Sequence, residues 1–175
     1  MSCSNNIPNV PIECGHLPDG HYYYEQLQHA INADFKSEKE LADFIELNIK
    51  DFCGDFLEAQ YISHKREYQL IKTSRAKLKG NRRIDFLINT DVGVIVIECK
   101  HPTFISELTS AIGQCLAYKS LISNSGLKVI RVIMVSSKID NIVPQVIADY
   151  KLPIEFVVMD KSKCVKFSHY VGTAK

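Results

Sequence analysis

The segment Ile97-Glu98-Cys99-Lys100 closes an apolar run, Val94 to Ile97, with a carboxylate and an ammonium two residues apart. Side chains alternate along an extended chain, so Glu98 and Lys100 share one face and Cys99 takes the other. Two charges at the end of a buried strand are costly unless they pair or bind something. Glu-x-Lys alone is a common triplet, and Asp85 is what sharpens it. Arg83 to Ile88 and Gly93 to Lys100 read as two strands joined by a tight turn through Asn89-Thr90-Asp91. Folding the chain about Thr90 to Val92 brings Asp85, near the start of one strand, beside Glu98, near the end of the other. Two carboxylates that close repel each other unless a cation lies between them. Two carboxylates, waters and a phosphate suit Mg²⁺.

Arg83-Ile84-Asp85, then Val96-Ile97-Glu98-Cys99-Lys100, then Gly113-Gln114 and Tyr118 resemble the spaced motifs of the PD-(D/E)XK nuclease superfamily. That superfamily includes restriction endonucleases, archaeal Holliday-junction resolvases and RecB-type nuclease domains. The likeness runs roughly from Ser37 to Val135, with Ile84 where the family's leading proline would stand. It implies an α/β, restriction-endonuclease-like fold, a mixed sheet with helices on both faces. It also implies a metal-dependent DNA endonuclease or nickase using Mg²⁺, with Mn²⁺ able to substitute. Asp85, Glu98 and the backbone carbonyl of Cys99 would ligate the ion. Lys100 would orient or help deprotonate the attacking water and stabilise charge developing on the phosphate. Gln114 would help hold the water or the lysine, and Tyr118 would lie one turn further along, toward the nucleic acid.

Family members also carry a glutamate on the first helix, and here Glu38, Glu40 and Glu46 compete. Leu41, Phe44, Ile45, Ile49 and Phe52 recur at helical spacing, and Ser37-Glu38-Lys39-Glu40 has the form of a capping box. Ser37 is then the N-cap and Glu40 reaches back to its N–H, with Gly54 as a stop. At about 100° per residue the centre of the apolar stripe lies closest to Glu38, while Glu46 falls on the solvated side. Glu38 is therefore expected to face the metal or its water. An acidic residue in a first turn also simply suits the helix dipole.

A basic run leads into the strand bearing Asp85. Lys65, Arg66, Lys72, Arg75, Lys77, Lys79, Arg82 and Arg83 stand against one acid, Glu67. Such a run is usually a solvated loop, but beside a phosphodiesterase site Lys72, Arg75, Lys77, Lys79, Arg82 and Arg83 are expected to neutralise DNA phosphates. His64 and His101 are expected to be hydrogen-bonded or exposed rather than catalytic bases.

Around these motifs the chain reads as an irregular arm over 1–20 and one domain over 21–175. The arm is Pro- and Gly-rich, a short helix spans His21 to Ala33, and Phe56 to Ile71 fits a strand, a turn and a second strand. Helices are expected at Leu108 to Ile122 and Ile142 to Tyr150, and strands at Val129 to Val135 and Ile154 to Met159. At 46% hydrophobic and 23% charged, 175 residues supply a core and exclude wholesale disorder. No apolar run approaches a membrane span, and the start lacks a secretory pattern, so an intracellular protein is expected. A net charge of +1 by itself points to no partner. The six cysteines form no Cys-x-x-Cys pair and are expected as buried free thiols. A zinc site from Cys3, Cys14, His16 and His21 matches no familiar spacing.

No target-recognition domain is evident, so structure-directed or weakly specific cutting of duplex or branched DNA is expected, by a homodimer if both strands are cut. The second reading is a nuclease-fold module that binds nucleic acid or protein without catalysis. Retention of Asp85, Glu98 and Lys100 together argues against it. A small-molecule α/β enzyme lacks its Gly-rich phosphate loop or nucleophile elbow here.

Overall fold

A run such as Val94 to Ile97, apolar toward both sides, is stable only as a central strand with a layer over each face. A computed structural model describes residues 12–14, 35–70, 83–102, 104–138, 142–159, 161 and 164–167, with the backbone alone at 12–14, 55, 56, 105 and 164–167. The described residues form an α/β fold with a mixed sheet of seven strands: β1 (Ile12–Cys14), β2 (Tyr61–Gln69), β3 (Arg83–Thr90), β4 (Gly93–Lys100), β5 (Val129–Ser136), β6 (Glu155–Met159) and β7 (Cys164–Phe167). Their order is β1-β7-β6-β5-β4-β3-β2. The β2–β3, β3–β4 and β6–β7 pairs are antiparallel; β4–β5, β5–β6 and β1–β7 are parallel.

One face is covered by α2 (Ile105–Asn124) and α3 (Ile142–Asp149). Their Leu108, Cys115, Tyr118, Val143 and Ile147 pack with Val94, Val96 and Met134 of the sheet. The other is covered by α1 (Glu38–Leu47) and the helical turns after it, where Leu41, Ile45 and Phe52 meet Phe86, Ile95, Ile97 and Cys99. β4 lies third from the β2 edge with a strand on each side, and the two helical layers bury its two faces.

The β3–β4 hairpin sets the register of the candidate site. Its corner is Asp91-Val92, and Thr90 pairs with Gly93. Gly93 has φ +149°, and a Cβ there would lie 2.6 Å from Ile130 Cγ2 and 2.7 Å from the Lys128 carbonyl. Only glycine fits that contact with β5 without displacing it.

Several expectations need correction. The arm over 1–20 is not wholly irregular, because Ile12–Cys14 forms a strand beside β7. Tyr61–Gln69 is one strand rather than two. The first helix ends at Leu47, where Asn48 caps it by donating from Nδ2 to the Phe44 carbonyl at 2.8 Å; Gly54 lies instead in a π-helical turn, Phe52–Phe56. α2 runs longer than expected, from Ile105 to Asn124. The helix expected at 21–33 and the Gly80-Asn81 turn lie outside the described residues. Cys53, Cys99 and Cys115 are buried free thiols. The side chains of Cys3, Cys14 and Cys164, with His16 and His21, lie outside the described residues.

Candidate functional site

The β3–β4 ladder is regular from Thr90–Gly93 to Phe86–Ile97 and goes no further. Continued by one hydrogen-bonded rung, it would set Ile84 opposite Cys99. The Asp85 side chain takes that place instead. Its Oδ2 accepts the Cys99 N–H at 2.6 Å, so the carboxylate stands in for a missing backbone acceptor. Because N–H and C=O of one strand residue point to the same neighbour, the Cys99 carbonyl also turns toward the β3 side.

Glu98 stands on the α2 side, among Val94, Val96 and the helix, and is only 3% exposed. Its Oε1 pairs with Lys100 Nζ at 2.7 Å, and its Oε2 is buried with no hydrogen-bond partner among the described residues. Burial first, and the nearby Asp85 charge second, push the Glu98 carboxyl from 4.5 up to about 7. Asp85 is also raised, chiefly by burial and against the pull of its Cys99 hydrogen bond. Lys100 is mostly buried; burial works against its charge, but the charge and hydrogen bond of Glu98 outweigh it and hold the ammonium protonated.

From the opposite layer, Glu38 brings Oε2 to 3.5 Å from Lys100 Nζ while its side chain stays half exposed. Glu38, Lys39, Ala42, Arg66, Glu67 and Asp85 line a cleft of about 150 Å³ between α1 and the β2–β3 pair. The helical-stripe argument for Glu38 is therefore matched by its position. Glu40 differs in detail: its N–H donates to Ser37 Oγ at 3.1 Å as a capping box requires, but its carboxylate accepts from Lys36 N–H at 2.7 Å rather than from Ser37. It also pairs with Lys161 at 2.7 Å. Glu46 is not simply solvated. It accepts from Arg66 at 2.6 Å and lies 3.2 Å from His64 Nε2, which fastens α1 to β2. A helix face that looks solvent-directed in isolation is here covered by an edge strand.

Gln114 is half-buried on α2, and its Oε1 is buried without a hydrogen-bond partner among the described residues. Tyr118 requires a correction. It is 3% exposed and donates its hydroxyl to the Arg83 carbonyl at 2.8 Å, so it locks α2 to the start of β3 and cannot lie on a nucleic-acid surface. Arg83 itself is exposed and pairs with Glu67 at 2.8 Å. Lys72, Arg75, Lys77, Lys79 and Arg82 lie outside the described residues. His64 and His101 are hydrogen-bonded as expected, to Tyr61 and Glu46 and to Ser137 Oγ respectively.

Glu67, not among the residues expected at the site, lines the cleft from β2 with a left-handed backbone, φ 48°. Its only signal was being the one acid in a basic run.

Among the described residues no three His, Cys, Asp or Glu side chains are grouped closely enough to hold an ion as they stand. The donor set nonetheless fits a hard, oxygen-seeking dication: a buried glutamate and a half-buried aspartate, both of raised pKa, one glutamate oxygen without a partner among the described residues, and the neighbouring Cys99 carbonyl. Comparison with protein-family models, characterised proteins and solved structures finds no match to this chain. No helix among the described residues is long and apolar enough to cross a membrane.

Proposed function

We propose that this protein is a metal-dependent DNA endonuclease or nickase of the PD-(D/E)XK type with a restriction-endonuclease-like fold, using Mg²⁺ or Mn²⁺. The observation that carries the reading is the buried Oε2 of Glu98, without a hydrogen-bond partner among the described residues, beside Lys100 and near Asp85 at the open end of the β3–β4 hairpin. An acid buried at this depth is unfavourable for folding and is best explained by a cation it receives.

Asp85, Glu98 and the Cys99 carbonyl would hold the ion, with Glu38 reaching it directly or through water. A divalent ion in such a site supplies charge neutralisation and Lewis acidity at phosphate oxygens. The chain's own residues do the rest. Lys100 stays cationic, so it orients the attacking water and stabilises negative charge developing on the phosphate rather than taking a proton at rest. The Asp85–Cys99 bond fixes the first carboxylate against the strand that carries the second, which keeps the donors aligned before substrate arrives. Gln114, with its free Oε1, would position the lysine or the water from the α2 side. Arg83 and the basic residues before it would anchor the duplex.

The test is cleavage of supercoiled plasmid, linear duplex and branched DNA with Mg²⁺, with Mn²⁺ and with chelator, by the wild-type protein and by Asp85→Asn. The expected result is metal-dependent nicking lost in the variant. Nicking that Asp85→Asn leaves unchanged would sink the assignment. DNA binding without any cleavage would favour a non-catalytic binding module.

A further inference from the structure

Two strands lose their alternation at one shared point. On β3, Phe86 and Ile88 face the α1 layer while Leu87 faces α2. Regular alternation would then put Ile84 on the α1 side, yet Ile84 lies in the α2-side core. On β2, Arg66 lies over the Phe86 ring on the α1 side, whereas Tyr68, two residues on, packs against the α2-side core. Both strands therefore switch faces between these residues. Arg66 pairs with Phe86 and Tyr68 with Ile84, which sets Glu67 opposite Asp85 at the switch itself.

Glu67 is where the backbone leaves the extended region, with φ 48°. A non-glycine residue there is unfavourable, and it breaks the strand's alternation without inserting a residue, since the β2–β3 register stays in step through it. The register ties that irregularity to Asp85. If both strands ran on regularly, Ile84 would close the next rung with Cys99 and Asp85 would project from one face of the sheet. With the switch, the ladder to β4 opens after Phe86 and the Asp85 carboxylate drops into the rung to accept the Cys99 N–H at 2.6 Å. The Glu67 carboxylate is turned to the exposed Arg83 guanidinium, 2.8 Å away.

We infer that Glu67 is a positioning residue whose left-handed backbone, rather than its carboxylate, switches the β2–β3 pair and thereby holds Asp85 on the Cys99 amide beside Glu98. The inference rests on the nuclease reading for its catalytic consequence but not for its structural one. On this inference the position supplies a conformation rather than a functional group, so what matters is which residues tolerate it.

The test is a series at this one position, read by NMR of the Cys99 amide and by Mg²⁺-dependent nicking. Glu67→Gly and Glu67→Asn suit a left-handed backbone, Glu67→Ala bears the same Cβ as the wild-type glutamate, and the β-branched Glu67→Val suits it worst. Gly and Asn are expected to keep a downfield, exchange-protected Cys99 amide and near-wild-type nicking. Val is expected to lose that protection, as Asp85→Ala does, and to cut about a hundredfold more slowly because the acid is misplaced. Ala removes the carboxylate and keeps the Cβ, so it is expected to retain the wild-type Cys99 amide, and it decides the question if Val prevents folding. Overturning results are a folded Val protein with an unaltered Cys99 amide, an Ala protein that loses its protection, or a Gly protein with that amide intact and nicking lost. Either of the last two would show that the carboxylate itself acts. If the wild-type protein shows no metal-dependent nicking, the nuclease reading fails, and the Cys99 amide series still decides the role of Glu67.

Discussion

Lys100 Nζ stands 2.7 Å from one oxygen of Glu98 and leaves the other buried, with no hydrogen-bond partner among the described residues. Half of the carboxylate is satisfied by a neighbour on its own strand. The other half is held ready beside Asp85, and the pair is kept in place by the packing of β4 between two layers.

That relationship has a pH signature. Glu98 is raised from 4.5 to about 7, first by burial and then by Asp85, so between those values the folded protein holds a proton that the unfolded chain has released. Stability without metal should therefore fall as pH rises from about 4.5 through 7, the reverse of an ordinary paired carboxylate. Glu98→Gln should flatten the decline and abolish cleavage. Melting curves across this range without metal, for both proteins, check it; a wild-type curve as flat as the variant's would contradict the burial argument.

Removing the cation from the pair should be worse than removing both partners. Lys100→Gln strands a buried carboxylate and is expected to cost about 3 kcal/mol above neutral pH. The loss should shrink in acid, where Glu98 is protonated, and the double variant Lys100→Gln, Glu98→Gln should recover much of it. Denaturant titrations in a double-mutant cycle at two pH values measure the coupling.

The glutamates of α1 should fail differently. Glu38→Ala takes a carboxylate from the cleft beside Asp85 and Lys100, so it should leave melting nearly unchanged and raise the Mg²⁺ needed for half-maximal cleavage. Glu40→Ala loses the Lys36 and Lys161 contacts and should lower melting while the folded protein still turns over. Ser37→Ala, which removes the N-cap acceptor, should cost about 1 kcal/mol with cleavage retained. Melting temperatures and Mg²⁺ titrations on all three separate the roles; a catalytically dead Glu40→Ala beside an active Glu38→Ala would reverse the assignment.

Tyr118→Phe should destabilise the fold by about 1 kcal/mol through loss of the hydrogen bond to the Arg83 carbonyl, with DNA affinity unaltered. Reversing Arg75, Lys77 and Lys79 to Glu together should instead weaken binding to all duplexes alike and flatten its salt dependence, with melting unaltered. Binding isotherms at several salt concentrations distinguish the two; a wild-type salt slope in the triple variant would reduce the basic run to a solvated loop.

What could be read from the residues depended on the range of the interaction. The β3–β4 hairpin was legible because its turn, its alternation and the two-sided apolar character of β4 are all local, and folding it back brings Asp85 toward Glu98. The face of α1 bearing Glu38 was legible for the same reason. Glu46 was misread because its partners, His64 and Arg66, come from a strand that follows the helix turns. Tyr118 was misread because a tyrosine suits a core as well as a surface, and only its bond to Arg83, across the sheet layer, decides which. The switch opposite Asp85 had no signal at all. A glycine would have announced a left-handed residue, and the chain uses Glu67.

Among the described strands, the first and the last in chain order pair at the far edge of the sheet, with Ile12 beside Cys164. That rung closes the longest loop of the sheet and so carries the largest loop entropy, whereas the hairpin of β3 and β4 closes over Asp91-Val92 alone. Folding is thus expected to start locally, at the hairpin that bears Asp85 and Glu98, with the β1–β7 rung closing late.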